Sequence, residues 1–562
     1  MPTLYFKKDA FSSATKLMGR NVAGESFASA LMHYGKTPLS AWIESEDDRV
    51  CLAEIITRSG RHERLTQVKV GFIRDLTTLC TTGNIFFPGP GLEFAGRIRS
   101  ALSHTNRWSL TGIIHTISSR RAIEDIKALV VADVYPWDAL VCTSSAGRKV
   151  VIELLQQEVD HLKSRLGIQK IVLPKLPVIP LGISVEDFSY STAQKAAARD
   201  KFLIPEGRIT ACFVGRLTFH AKAHPYPMLS ALRDIAEQCN KEIELLMYGQ
   251  FPNDYIKRAY EQLRGSCGPK VRMTWVDGKE PSTKHDVLAA SDLFVSLSDN
   301  IQETFGITPL EAMAAGLPII VSDWNGYKDT VTHGEVGFRA STYMPAPDSM
   351  ADLARDYELD LDTYDMHIGK VAAATAVDYR EVRTYIGELV ENKHLREQMG
   401  ERARCRARST YDWSKIIPQY EALWNALNEE RNHTSKAHTS LGQASKAIQD
   451  PSRTFACFSS KQLGPDHLFR IAEPHALLDR LGSLLEQPSI NYTPSIAPTL
   501  EEARKIRIQF KSHPFTANDL CAANIVTPTT KALQKCMWML KYDLVQFNDE
   551  NSISPSEFPG AV

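Results

Sequence analysis

From Leu293 to Val321 the chain reads without a gap as strand, loop, helix, glycine stop and strand. The apolar run Leu293-Phe294-Val295-Ser296-Leu297 supplies the first strand, and Leu317-Pro318-Ile319-Ile320-Val321 supplies the second. Between them lie Glu303-Thr304-Phe305-Gly306-Ile307-Thr308-Pro309-Leu310-Glu311 and the small-residue stretch Ala312-Met313-Ala314-Ala315-Gly316. Such alternation belongs to a parallel sheet covered by helices. On a continuous helix, eight residues make a little over two turns, so the Glu303 and Glu311 carboxylates lie near one face. Glu303 then sits at the helix entrance and Glu311 deeper along it. First-turn amides have no partner inside a helix and carry partial positive charge, so Thr304, Phe305 and Gly306 can bind a phosphate.

Carboxylates beside a phosphate site suit hydroxyl groups. A ligand with phosphate in the middle and sugars at both ends fits, which describes a nucleotide sugar. The plainer alternative is a helix-entrance charge and a solvated glutamate. The small apolar residues around Glu311 favour burial instead, where an unpaired carboxylate is costly.

A chain of 562 residues exceeds one core, so two domains and an appendage are expected. Its 43% hydrophobic and 23% charged residues are those of a globular protein, and a net charge of −1 gives no reason to expect nucleic acid. Met1 to Gly19 lacks an apolar core of signal-peptide length, and no apolar run reaches the roughly 20 residues of a membrane helix. Ten cysteines without Cys-x-x-Cys spacing imply reduced thiols. A cytoplasmic protein is expected, with contact at the inner membrane face left open.

Strand–helix alternation occupies two halves. In the first, Gly112–Thr116 and Ala139–Thr143 read as strand ends, Val150–Leu166 as a helix and Val178–Gly182 as a strand leaving the domain. Ser184–Pro205 reads as a hinge. The second series begins at Ile209–Gly215 and continues through helix Met228–Cys239, strand Ile243–Tyr248, helix Asp254–Leu263 and strand Val271–Val276. Tyr343–Asp365 reads as an irregular surface excursion. The expected domains are residues 1–200, 205–410, a crossover helix at 411–430, and an appendage at 431–562. Low complexity from Asn432 to about Thr499 implies mobility there, although His467–Leu485 and Leu500–Phe547 carry helical patterns.

Phe213-Val214-Gly215-Arg216-Leu217, with Lys222 after it, places two cations beyond a strand end, where open α/β sheets hold ligands. Arg216 can grip a diphosphate through its planar fork and Lys222 as a point charge. The alternative is a pair of surface cations bound to nearby carboxylates. No Asp-x-Asp ends a strand, so a divalent metal is not expected, and Glu44–Asp48 reads as a solvated loop. No Gly-x-Gly-x-x-Gly follows an early strand, which disfavours a nicotinamide dehydrogenase.

The Glu303–Glu311 segment, its small-residue helix and the Pro-Ile-Ile-Val strand resemble the Glu-x7-Glu motif of glycosyltransferase family 4. Gly215-Arg216-Leu217…Lys222 resembles a second family pattern, with a slightly longer gap before the lysine. The likeness runs from about Met18 to Leu427, and Tyr411-Asp412-Trp413 resembles the start of the closing helix. It implies a GT-B fold, with two Rossmann-like domains facing a cleft plus a mainly helical C-terminal extension. It also implies a retaining glycosyltransferase with a nucleotide-diphosphate sugar donor, UDP- or GDP-linked, no further cofactor and no metal. Glu303 would contact hydroxyls of the transferred sugar and Glu311 the ribose. Arg216, Lys222 and the amides of Thr304, Phe305, Gly306 and Ile307 would hold the diphosphate. His115, unremarkable by position alone, matches a family histidine that faces the sugar. Gly19–Phe27 resembles a glycine loop that lets backbone approach the ligand, with Gly24 as the candidate and Arg20 in the acceptor site or an ion pair. The acceptor, whether a glycan, a lipid-linked or a small molecule, is unspecified. A sugar-nucleotide epimerase, a phosphorylase and a non-catalytic sugar-nucleotide sensor are the alternatives.

Overall fold

The computed structural model describes residues 3–12, 19–36, 39–60, 68–72, 83–101, 108–434 and 450–547. Met1–Lys446 and Ala447–Val562 form two compact units. Two parallel six-stranded sheets organise the first unit. In one, β1 (Thr3–Phe6), β2 (Ser40–Ile43), β3 (Lys69–Phe72), β4 (Asn84–Phe86), β5 (Ser109–Ile113) and β6 (Ala139–Val141) run in the order β3-β2-β1-β4-β5-β6. In the other, β7 (Ile209–Val214), β8 (Ile243–Gly249), β9 (Val271–Asp277), β10 (Leu293–Ser296), β11 (Ile319–Ser322) and β12 (Gly337–Ala340) run β12-β11-β10-β7-β8-β9.

Counted within each series, both orders are 3-2-1-4-5-6. The order reverses between the first and fourth strands, and loops leaving those two strands diverge to open a crevice. In the second sheet they are β7 and β10, paired through Ala211–Leu293 and Cys212–Phe294. Covered on both faces, the inner strands are mainly apolar runs, and every residue of β8 is buried, whereas the edge strands β3 and β9 keep exposed residues. Its one charge, Glu244, is neutralised by Arg272 at 2.5 Å.

The helices that position the site include α1 (Gly19–Tyr34), α2 (Ser145–Leu166), α3 (Ile307–Ala314), α4 (Ala351–Glu358), α5 (Tyr364–Ala373) and α6 (Trp413–Thr434). α6 returns the chain to the first lobe. Its Trp413 indole N–H donates to Ser26 Oγ at 2.7 Å, and the Trp413 and Tyr420 rings lie 5.8 and 4.9 Å from Phe27. Gly182 makes room for this packing, since a Cβ there would fall 2.5 Å from the Trp413 ring.

Several elements differ from the sequence reading. Val178–Gly182 is not a strand; Val178 makes an isolated bridge to Cys142 beside β6. The expected hinge holds helix Thr192–Lys201, whose Ser191–Gln194 capping box and alanines favour a helix. The excursion after Tyr343 carries α4 and the start of α5. In the second unit, a short strand (Phe469–Ile471) precedes helix Leu477–Leu485 and pairs antiparallel with Val545–Phe547. Three residues are too few to show a period of two. Phe469, Leu481, Ile506, Phe515, Leu520 and Met539 are buried in this unit's own core. The stretch 435–449, within the segment read as mobile, lies outside the described residues, as does Met18.

Candidate functional site

A cavity of about 570 Å³ opens along the carboxyl edges of both sheets, within the size range of small-molecule sites. Arg216 leaves β7 and Glu303 follows β10, so the two come from the strands that flank the reversal in strand order. Both line this cavity, as do Lys222, Glu311 and His115.

Glu303 is ion-paired with Lys222, and both side chains are largely buried. Burial alone would raise the Glu303 carboxyl, but the Lys222 ammonium, the Phe305 amide and Arg216 hold it below its ordinary value. Burial likewise opposes the charge on Lys222, and the Glu303 carboxylate outweighs it, lifting Lys222 above its ordinary value. The Tyr327 hydroxyl donates to Glu303 Oε2 at 3.5 Å. Arg216 donates to the Gln302 side chain, one residue from Glu303, and to the Ala221 carbonyl at 3.4 Å.

The expected single helix from Glu303 to Glu311 is corrected by the structure. α3 starts at Ile307, so Glu303, Thr304 and Phe305 form a loop in front of it. Gly306 caps the helix at φ +89°, and a Cβ there would fall 2.1 Å from the Tyr327 ring. Phe305 buries its ring and spends its amide on Glu303, so that amide is not free for a phosphate. Among the described residues no backbone carbonyl accepts from Thr304 or Gly306, and both line the cavity. Ile307, also in the lining, opens the first turn, where amides lack a partner inside the helix.

Glu311 is buried on α3 and accepts from Lys284 Nζ at 2.7 Å through Oε1. Its Oε2 has no partner among the described residues. Lys284 was not anticipated. It sits on helix Pro281–Ala290, and nothing in its local sequence separates it from a surface lysine.

His115 lies just beyond β5 on the opposite wall. Burial pushes its pKa down to about 4, and the Arg20 charge adds to this, against a hydrogen bond to the Pro88 backbone. A neutral ring that donates to the Pro88 carbonyl keeps only an acceptor nitrogen for a ligand. It can accept a hydrogen bond from a hydroxyl but has no N–H left to offer an anion. Gly24 is not in a loop. It lies within α1, where a Cβ would meet the Ala10 carbonyl oxygen at 2.3 Å, so it serves helix packing. Gly19 and Arg20, at the start of the same helix, line the cavity instead.

Two sets of contacts tie the walls together. The Ser144 hydroxyl donates to the Thr304 carbonyl at 3.0 Å, and the Ser145 amide to Asp329 at 2.5 Å. On the other side, α4 and α5 reach across. The Tyr364 hydroxyl pairs with Ser118 Oγ at 2.8 Å and accepts from Gln302 at 3.1 Å, while Arg120 meets Asp360 at 2.9 Å. A chain of hydrogen bonds thus runs Arg216–Gln302–Tyr364–Ser118 from one wall to the other.

Residues 194–374 match the family model described as "Glycosyl transferases group 1". A D-inositol 3-phosphate glycosyltransferase of Rhodococcus jostii is 31% identical over 150 residues, which is 26% of this chain and 32% of that protein. A phosphatidyl-myo-inositol mannosyltransferase of Mycobacterium leprae is 31% identical over 175 residues, 31% of this chain and 41% of that one. An N-acetyl-alpha-D-glucosaminyl L-malate synthase of Bacillus anthracis is 27% identical over 148 residues, 26% and 29% of the two chains. The chain spans about a third of the length of these curated relatives. Anabaena HepE, solved in complex with UDP and glucose, superposes with a TM-score of 0.50 at 15% identity, covering 76% of this chain and all of that one. The fold is therefore GT-B with a mainly helical C-terminal extension, and the matched stretch is the lobe that carries Arg216, Lys222, Glu303 and Glu311.

Proposed function

We propose that this chain is a glycosyltransferase that moves a sugar, with retained anomeric configuration, from a nucleotide-diphosphate sugar to a hydroxyl acceptor. The observation that carries the reading is the convergence of Arg216 and the Lys222–Glu303 pair on one cavity where the strand order reverses. The diphosphate lies against Arg216, Lys222 and the amides of Thr304, Gly306 and Ile307. These groups favour the charge that grows as the glycosidic bond breaks, so no metal ion is needed for that work. Glu303 accepts from hydroxyls of the transferred sugar, and the unpartnered Oε2 of Glu311 accepts from the ribose. His115 accepts from a sugar hydroxyl on the far wall. The chain's own residues here bind and orient, and proton removal from the acceptor falls to the leaving phosphate. The relatives' names support sugar transfer, and the UDP held by HepE supports a uridine nucleotide. The nine described cysteines, all free thiols, suit a reducing cytoplasmic setting.

Thermal shift with UDP, GDP and ADP tests the reading first, because a matched nucleotide stabilises by mass action. UDP should raise Tm most, and indifference to all three would refute the donor site. Incubation with donor alone then separates transfer from epimerisation, since an epimerase alters the sugar with no acceptor present.

A further inference from the structure

The cleft holds more positive charge than the donor uses. Lys222 is paired with Glu303 and Lys284 with Glu311. Arg216, bonded to neutral partners, remains open to the diphosphate. A fourth cation, Arg20, stands on the opposite wall at the start of α1, exposed and facing the same cavity. Among the described residues no carboxylate pairs with it.

The lining on that wall carries no negative charge, and beside the apolar Val22, Ala23, Ile114 and Leu181 it offers His115, Thr116 and Thr143. His115, close enough to feel the Arg20 charge, is a neutral ring with one acceptor nitrogen. Thr143 stands two residues beyond Val141, as His115 stands two beyond Ile113, and Ile113 and Val141 are register partners on β5 and β6. Thr143 is 2% exposed, lines the cavity, and its hydroxyl has no partner among the described residues. A buried hydroxyl left unpaired is costly, so a ligand group that accepts from it relieves that cost. An unpaired guanidinium and an unpaired buried hydroxyl lining one cavity suit an oxyacid group, with the guanidinium fork matched to two of its oxygens.

We infer that the acceptor is a hydroxyl compound carrying an anionic oxyacid group, a phosphate monoester or a carboxylate, which Arg20 grips with the Thr143 hydroxyl as a second contact. The inference rests on the transferase reading and adds the acceptor's chemical class. Such a group anchors the acceptor on the far wall, leaving its hydroxyl to face the donor across the cleft.

The test uses full-length protein saturated with UDP, so that added anions cannot enter the diphosphate site. Inorganic phosphate and L-malate are titrated against Tm, with glycerol as the uncharged control; the two anions separate the phosphate and carboxylate forms. One or both should stabilise the wild type in a saturable way. Arg20→Gln should weaken that response about tenfold, as expected for loss of a charge-assisted contact, with UDP affinity within twofold of wild type. Arg20→Lys should restore part of it, and Thr143→Val should weaken it less. An anion response equal in wild type and Arg20→Gln overturns the inference. So does an Arg20→Gln variant that loses UDP binding to the same degree, which would assign Arg20 to the donor. Wild type that ignores UDP removes the transferase reading beneath it, a result distinct from both.

Discussion

Glu303 is kept ionised by its neighbours rather than by water. Lys222, the Phe305 amide and Arg216 outweigh the burial that would otherwise protonate it. Glu303→Gln keeps the size of the side chain but removes the acceptor charge, so transfer should fall by about 10² or more while UDP affinity changes little. Arg216→Ala should do the reverse and weaken UDP binding by about tenfold, read by calorimetric titration. Wild-type behaviour in both variants would remove the assignment. His115 makes a pH prediction. Its folded pKa of about 4 lies below the ordinary 6.5, so the unfolded chain binds more protons between those values. The stability it contributes is complete above pH 6.5 and is lost as pH falls toward 4. Asp299 has the opposite sign, because burial raises its carboxyl to about 7, and its contribution fades as pH rises from 3.8 to 7. Denaturant titrations across pH 4–7 should therefore show a shallower acid loss in His115→Gln and a steeper one in Asp299→Asn. At this scale the sequence was informative about which side chains meet: Arg216, Lys222, Glu303 and Glu311 share one cavity. It was silent on Lys284, because a partner 27 residues from Glu311 leaves no local pattern.

The loop before α3 shows how one element was misread and what would have corrected it. A helix running from Glu303 places Pro309 in its second turn, where the ring clashes with the carbonyl four residues earlier. Proline is favoured in the first turn, and a start at Ile307 places it there, although α6 accommodates Pro418 in its second turn. Gly306 is the other constraint, since its left-handed backbone and the Tyr327 ring exclude a side chain. Gly306→Ala should cost about 1–3 kcal/mol and blunt the UDP response, measured by denaturation and titration on the same protein. The α4–α5 excursion, expected as an irregular surface, is the bridge between the walls. Tyr364→Phe removes the hydroxyl shared by Ser118 and Gln302. It should raise KM for the donor several-fold with little change in Tm, because binding then no longer draws on the closed arrangement. An unchanged KM would reduce this contact to packing.

Across the molecule, the two parallel sheets were legible because strands buried on both faces stand out as apolar runs. The order 3-2-1-4-5-6 was not, since register and crossover are set by contacts far apart in sequence. The extension's strand pair escaped for the same reason, with Phe469 and Phe547 meeting across most of that unit. Each unit has its own core, so calorimetry should resolve two transitions, of which UDP raises only the one belonging to residues 1–446. A single transition moved as a whole by UDP would show that the units unfold together.

The closing helix also bears on synthesis. Phe27 and Phe86 are made early, yet the rings that cover them, Trp413, Tyr420 and Trp424, leave the ribosome only after the whole second lobe. The first lobe therefore waits through translation with an oily seam uncovered. A nascent chain stalled before Trp413 is the form of this protein that a chaperone would meet.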